Sequence, residues 1–269
     1  IATTLAPNSP PASCARFPLV LFSHGLGGCG TQSLFITESL ARKGYVVVAP
    51  DHADAQCSVD GAPPSGSTVT EPSVFDPASW TDATYRDRKQ DMQALLDALL
   101  AGSEWSGQID AARIGIAGHS LGGYTALGLA GAWPSWKDPR IKAALLLSPY
   151  VAPYQLKQTL GGVSSLPLMY QGAQFDIFIT PSLEGPSGAY ALAQPPKYFA
   201  KLFLGSHFEW TNLLCLGTNT IANCMRTKSN AALIDDYASA FFDRHLKGQP
   251  SPLLSAGGAG LAAYLAQPN

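Results

Sequence analysis

RIGIAGHSLGG, residues 113–123, is the stretch on which the fold turns. Residues 113–117 are short and apolar, with Ile114 and Ile116 β-branched, as a buried strand requires. They run without a break into Gly118-His119-Ser120-Leu121-Gly122-Gly123, and small residues at helical spacing follow to about Trp133. A serine between two glycines where a strand turns into a helix sits on a sharp bend with its hydroxyl exposed. Side chains at 118 and 122 would collide across so tight a bend. The helix that starts beneath the serine offers free N–H groups to a developing negative charge. Ser120 is therefore the candidate nucleophile.

Outward from this junction, short apolar runs alternate with amphipathic segments of helical length. That is the pattern of a parallel sheet covered on both faces. Residues 18–23 (PLVLFS) read as the first strand, and 33–43 as a helix that Gly44 stops. Residues 45–49 (YVVVA) form a second strand, ended by Pro50. Residues 52–80 carry no sustained period and form a long loop insertion, a feature usually tied to function. Thr81 or Asp82 caps a helix running to about Leu100. Residues 141–147, 166–170 and 198–204 are the fourth, fifth and sixth strands, and 231–246 a closing amphipathic helix. Right-handed crossovers then give one α/β domain over 1–269, a mostly parallel, doubly wound sheet. Pro7–Pro11 and Gly61–Gly66 read as loops within it.

A serine hydroxyl is a weak nucleophile and needs a base. Two histidines follow Ser120. His245 lies on the closing helix and reads as a cation set against the C-terminal dipole. His207 lies just past the sixth strand, where a base belongs. For the acid, Asp176 follows the fifth strand. Glu184 sits deeper in a Gly/Pro loop, and Glu209 is too close to His207 in sequence to orient its ring. Asp235 and Asp236 read as solvated residues of the last helix. His24-Gly25-Leu26-Gly27-Gly28 follows the first strand, and its use is to aim a backbone N–H at the oxyanion position, with Leu26 and Leu121 as the two donors. The spacing is wrong for a dinucleotide fingerprint, and no G-K-[ST] follows. His52 and His119 read as structural histidines rather than metal ligands, so neither a metal nor another cofactor is expected.

Composition narrows the partners. Charged residues make up 13% of the 269, with a net charge of −2, which leaves no footprint for nucleic acid and no polybasic patch for a membrane. The longest apolar stretches, such as 141–147, fall far short of the roughly 18 residues of a membrane span. The expected state is a monomer acting on a small-molecule, lipid or polymeric substrate. The chain begins at Ile1 and reads as processed or trimmed. Low charge and five cysteines point to an oxidising compartment, secreted or periplasmic. Two pairings fit the sequence, Cys215 with Cys224 and Cys29 with Cys57, and an odd count leaves a thiol free.

These pieces together resemble the α/β-hydrolase superfamily, most nearly the branch that contains platelet-activating-factor acetylhydrolases, dienelactone-hydrolase-like proteins and bacterial polyester hydrolases. The resemblance rests on 18–27, 44–52, 118–123, the strand–Asp176 and strand–His207 pairs, and the closing 241–248. It implies an α/β-hydrolase fold, a Ser120–His207–Asp176 triad, and Leu26 and Leu121 as oxyanion donors. Dienelactone hydrolases use cysteine; serine here points to ester hydrolysis through an acyl-enzyme. The family also carries one or two antiparallel strands ahead of its first parallel one. The Pro-rich stretch before Pro18 reads as having lost them or as cut short. The same three side chains would serve an acyltransferase or a perhydrolase, while a non-catalytic binding protein would need none of them. Phe75, Trp80, Tyr150, Ile177, Phe178, Phe208 and Trp210 should gather at the C-terminal edge of the sheet as an apolar, aromatic substrate site.

Overall fold

A computed structural model describes residues 16–57 and 71–269. The Pro7–Pro11 and Gly61–Gly66 loops, Cys14, the centre of the 52–80 insertion and the place of the expected leading strands lie outside the described residues. The sheet strands are β1 (Phe17–Ser23), β2 (Val46–Val48), β3 (Ile109–His119), β4 (Ile141–Leu147), β5 (Leu168–Ala173), β6 (Lys197–Leu202) and β7 (Leu261–Gln267). The helices are α1 (Leu34–Arg42), α2 (Arg86–Leu100), α3 (Leu121–Leu127), α4 (Ala152–Leu156), α5 (Thr180–Leu183), α6 (Ala189–Leu192), α7 (Ile221–Thr227), α8 (Ser229–Leu246) and α9 (Leu253–Ala256).

The strands lie in the order β2-β1-β3-β4-β5-β6-β7. β1 to β6 run parallel, and β7 pairs antiparallel with β6. Each strand interior alternates its side chains between two cores. Leu19, Leu21, Ile114 and Ile116 face Met92 and Leu96 of α2 and Tyr124 and Leu127 of α3. Val20, Phe22, Leu145 and Leu147 face Phe35 and Leu40 of α1 and Ile234, Phe241 and Phe242 of α8. Both faces are therefore covered, which is why these strands read as unbroken apolar runs.

The chain steps from β1 outward to β2, then back across β1 to β3. This is a topological switch, and crevices at the carboxyl ends of strands open there. The register pairs Ser23 with Gly118, so the loop after β1 and the turn after β3 leave the sheet side by side.

The structure departs from the sequence reading at several boundaries, each for a tertiary reason. The helix expected from Thr81 starts only at Arg86, after Tyr85 in a left-handed conformation at φ 54°. The Asp82 and Thr84 carbonyls are taken instead by Trp136 Nε1 and by the Tyr124 hydroxyl. The helix expected to reach Trp133 does so in two parts, α3 to Leu127 and then a wider π-helical turn over Gly128–Ala132 in which Gly131 sits at φ 120°. β7 escaped notice because it is an edge strand built largely of alanine and leucine, with exposed and half-exposed positions alternating. His245 is not the cation expected at the C-terminal dipole. It is half-buried, its Nε2 lies 3.2 Å from the Tyr198 hydroxyl, and burial, then the Arg244 charge, lower its pKa to about 4. Asp235 is buried and accepts from Lys43 Nζ at 2.6 Å. Cys29 pairs with Cys57 and Cys215 with Cys224, the two pairings that fitted the sequence.

The turn glycines yield a direct test. A Cβ on Gly122 would stand 1.9 Å from the Ser23 carbonyl oxygen, an atom fixed in the sheet. Gly122→Ala is expected to destabilise the protein by about 3 kcal/mol in urea unfolding, at the upper end for an overpacked position. A loss under about 0.5 kcal/mol, the range of a neutral surface change, would contradict the close approach.

Candidate active site

Ser120 occupies the bend between β3 and α3 at φ 55° and ψ −116°, outside the regions that a serine normally adopts. Backbone hydrogen bonds on both sides of the residue hold it there. Its N–H donates to the Leu147 carbonyl at 3.0 Å, and its own carbonyl accepts from Tyr150 N–H at 3.0 Å and from Gly123 N–H at 2.9 Å. A Cβ on Gly118 would meet the Gly122 carbonyl oxygen at 2.2 Å, so the bend closes on backbone alone.

His207 follows β6 and Asp176 follows β5, on adjacent strands. His207 Nε2 lies 3.0 Å from Ser120 Oγ, and its Nδ1 lies 3.0 Å from Asp176 Oδ2. Asp176 is buried. Burial alone would raise its pKa; hydrogen bonds from His207, Ser148 and the Ile179 amide outweigh that and hold the carboxyl below its ordinary range. Ser148, at the end of β4, was missed by the sequence reading. Its hydroxyl donates to Asp176 Oδ2 and stands 3.0 Å from His207 Nδ1. The two rival acids are engaged elsewhere. Glu184 pairs with Lys201, and Glu209 accepts from Ser206 N–H and Asn230.

The glycine loop after β1 packs directly on this group. A Cβ on Gly25 would meet Ser120 Cβ at 3.5 Å and His119 Nδ1 at 3.1 Å. Leu121 opens α3, where an amide has no acceptor within its own helix. Among the described residues, the Leu26 amide has no hydrogen-bond acceptor either.

His119 ties the two sides of the site together. Its Nε2–H donates to the His207 carbonyl at 2.9 Å, and its Nδ1 accepts from Gln32 Nε2 at 3.0 Å. Gln32 Oε1 in turn accepts from Gly25 N–H at 3.0 Å. The ends of this chain are an obligate acceptor and an obligate donor, so the middle works only with a neutral imidazole. Burial, then the nearby His207 charge, depress the His119 pKa to about 3, which keeps it neutral. His52 is likewise satisfied by protein groups, Ser23 Oγ at 2.8 Å and Asp91 Oδ2 at 2.8 Å.

A cleft of about 690 Å³ opens over Ser120 and His207. Leu26 and Phe208 line it, beside the Cys29–Cys57 disulfide. Its far wall consists of Thr31, Gln32, Asn212, Leu213 and Leu216, which no periodic pattern marked. Asn212 locks that wall to the start of α1, donating to Thr31 O at 2.6 Å and accepting from Leu34 N–H at 2.9 Å.

The remaining aromatic candidates divide. Phe75 and Phe178 are 90% and 84% exposed, and Ile177 is exposed with them, outside the cleft lining. Tyr150 is half-buried, with its hydroxyl on the Val74 carbonyl and its ring on Trp80. Two expectations need correction. Trp80 is not at the rim but fully buried, packed against Tyr85 and Tyr124, with Nε1 donating to the Ser73 carbonyl. Trp210 is also fully buried, beneath His119, and donates to Gln171 Oε1 at 2.8 Å. Both rings carry a single polar atom that a protein acceptor already satisfies, so packing claims them.

Comparison with known proteins adds a family. A family model described as the alpha/beta hydrolase family matches residues 20–265. The chain is 25% identical over 172 residues to a platelet-activating factor acetylhydrolase of Cavia porcellus, covering 54% of this chain and 38% of that protein. It is 27% identical over 201 residues to cutinase est2 of Thermobifida alba, covering 74% of this chain and 55% of that protein. The chain thus spans about four- to six-tenths of the length of these curated relatives. A ferulic acid esterase structure from Streptomyces cinnamoneus superimposes with a TM-score of 0.68 at 25% identity, over 96% of this chain and 76% of that one.

The buried histidines set a pH dependence of stability. His24 and His119 have pKa values lowered to about 3, and that of His52 is lowered too, burial being the largest cause in each. In the unfolded chain they titrate near 6.5. Between 6.5 and the folded values the unfolded state binds more protons, so stability is full above 6.5 and is lost as pH falls. Calorimetry is expected to show the melting temperature declining steadily from pH 6.5 to pH 4. A flat profile across that window would mean that these rings are charged or solvated in the folded state.

Proposed function

This chain belongs to the alpha/beta hydrolase family, and from that membership and the side chains around Ser120 we propose that it is a serine carboxylic ester hydrolase working through an acyl-enzyme. The observation that carries the reading is the unbroken line of contacts from Ser120 Oγ through both nitrogens of His207 to Asp176. The names of the similar proteins, a cutinase, an acetylhydrolase and a ferulic acid esterase, agree in denoting hydrolysis.

Each residue has a role. His207 Nε2 takes the Ser120 proton as Oγ attacks the ester carbonyl. Asp176, accepting from Nδ1–H, fixes the imidazole tautomer and stabilises the imidazolium that forms. The carbonyl oxygen, now negative, is received by the Leu26 and Leu121 N–H groups. Collapse of the adduct expels the alcohol, which takes its proton from His207. Water then attacks the acyl-serine by the same route and regenerates the free serine.

The rim supports an apolar, uncharged ester, with an insoluble polyester or lipid inside that class. Leu26, Phe208, Leu213 and Leu216 are all more than half exposed at the cleft, with Phe75, Ile177 and Phe178 beyond it. The loops 24–33, 148–151, 174–180 and 203–216 contain no lysine or arginine. Exposed apolar side chains grouped at a cleft support an interaction surface, and without cations it favours a neutral surface over an anionic one. Two disulfides support a place outside the cytoplasm. Among the described residues, no helix is long and apolar enough to cross a membrane.

Ser120→Ala and His207→Ala are each expected to lower kcat on a soluble nitrophenyl ester on the order of 10⁵–10⁶-fold. Turnover by Ser120→Ala at the parent rate would remove the reading. For the substrate class, the protein should adsorb to an aliphatic polyester film with little dependence on salt and release monomer from it. Adsorption that salt abolishes, or no monomer release, would exclude the polymer.

A further inference from the structure

Arg88 is fully buried, lies on α2, and belongs to none of the groups described above. We propose that Arg88, held by Asp54, positions and polarises the peptide group whose N–H receives the oxyanion. The inference rests on Leu26 as an oxyanion donor, as read under the proposed function.

The argument concerns one peptide unit. The Gly25 carbonyl and the Leu26 N–H belong to the same planar trans group, so they point in opposite directions. Whatever holds the Gly25 oxygen therefore aims the Leu26 hydrogen. That oxygen accepts three donors: His24 Nδ1 at 2.7 Å, Gly28 N–H at 3.0 Å and Arg88 Nη2 at 3.2 Å. His24 donates from Nδ1 because its Nε2 already accepts from His52 N–H at 3.0 Å. Arg88 Nη1 also grips the preceding carbonyl, His24 O, at 2.7 Å. Two successive carbonyls of the loop are thus pulled toward one guanidinium.

Asp54 fixes the guanidinium itself. Its two oxygens accept from Arg88 Nε at 2.9 Å and Nη2 at 2.7 Å, and Oδ2 also takes Gly27 N–H at 3.1 Å. The pair therefore holds the loop on both sides of Leu26. Donors on a carbonyl also strengthen the N–H of the same peptide, since hydrogen bonds in series polarise one another. A cation on the Gly25 oxygen makes the Leu26 N–H a better donor at the moment that negative charge develops. Arg88 touches no reacting atom; it is a positioning residue.

The test removes both charges together, because deleting one would leave the other buried and unpaired. Parent and Ser120→Ala are assayed first, so that ester turnover depending on Ser120 is secured separately. In Arg88→Met/Asp54→Asn, kcat on a soluble nitrophenyl ester is expected to fall on the order of 10–100-fold, with KM changed by less than about threefold, as loss of a transition-state interaction requires. Binding of phenylboronic acid, which forms a tetrahedral adduct on serine, should weaken by the same factor as kcat. The acid limb of the kcat/KM profile should not move, because His207 and Asp176 are untouched. A purely structural loss would move that limb or spare the boronate. Arg88→Lys keeps the charge with one nitrogen, and it decides by the same criteria should the double variant lack a cooperative melting transition. A folded variant with parental kcat, a loss carried by KM, or unchanged boronate affinity would overturn the inference and leave the esterase reading standing. A parent without turnover depending on Ser120 would overturn both.

Discussion

At the switch between β1 and β3 the backbone of Gly122 lies against the Ser23 carbonyl so closely that no side-chain carbon fits between them. Everything in the site depends on this contact. It brings the end of one strand and the bend after its neighbour to one point, with Ser23 paired to Gly118. The exposed hydroxyl, the first free amides of α3 and the glycine loop are then neighbours by construction. The later strands then bring an imidazole and a carboxylate to the same edge, and β5 and β6 do so as an adjacent pair.

Around that contact the protein buries an unusual amount of polar chemistry. His24 of the glycine loop is fully buried, as are Ser23, His52 and Arg88, which contact it or its neighbours. Buried charge costs several kcal/mol per ion unless it is paired and hydrogen-bonded. Here Arg88 meets Asp54 with two nitrogens, and burial keeps the histidines neutral. An apolar filling would have been simpler for stability alone. The polar filling instead holds the His24 and Gly25 carbonyls and the Gly27 amide in fixed directions, which is the kind of backbone orientation an oxyanion site would require.

Much of this was legible in the sequence because it is local. A strand running into Gly118-His119-Ser120-Leu121-Gly122 declares its bend through residue size, and β4 was placed to the residue as Ile141–Leu147. His207 and Asp176 stood out by chain order, since each follows a strong apolar run, and the structure brings them together. What stayed hidden is set by distant partners. Trp80 and Trp210 look like rim aromatics in sequence, but in space each finds a buried acceptor and a packed ring. Ser148 and Gln32 are ordinary polar residues until β4 and α1 bring them beside His207 and His119. The Leu213–Leu216 wall is shaped by a short turn that starts with Thr211 capping Leu213, too brief to leave a period. Asp235 sits on a helix face that pattern alone assigns to water, whereas Lys43 of the neighbouring α1 boundary claims it.

The central claim is that Ser120 carries the acyl group during ester hydrolysis. Rapid acid quenching during steady turnover of an activated ester, followed by intact-mass and peptide analysis, tests it most directly. The account predicts one added acyl mass per chain, confined to the peptide that contains Ser120. Acyl mass on another residue, or none while product accumulates, would contradict it.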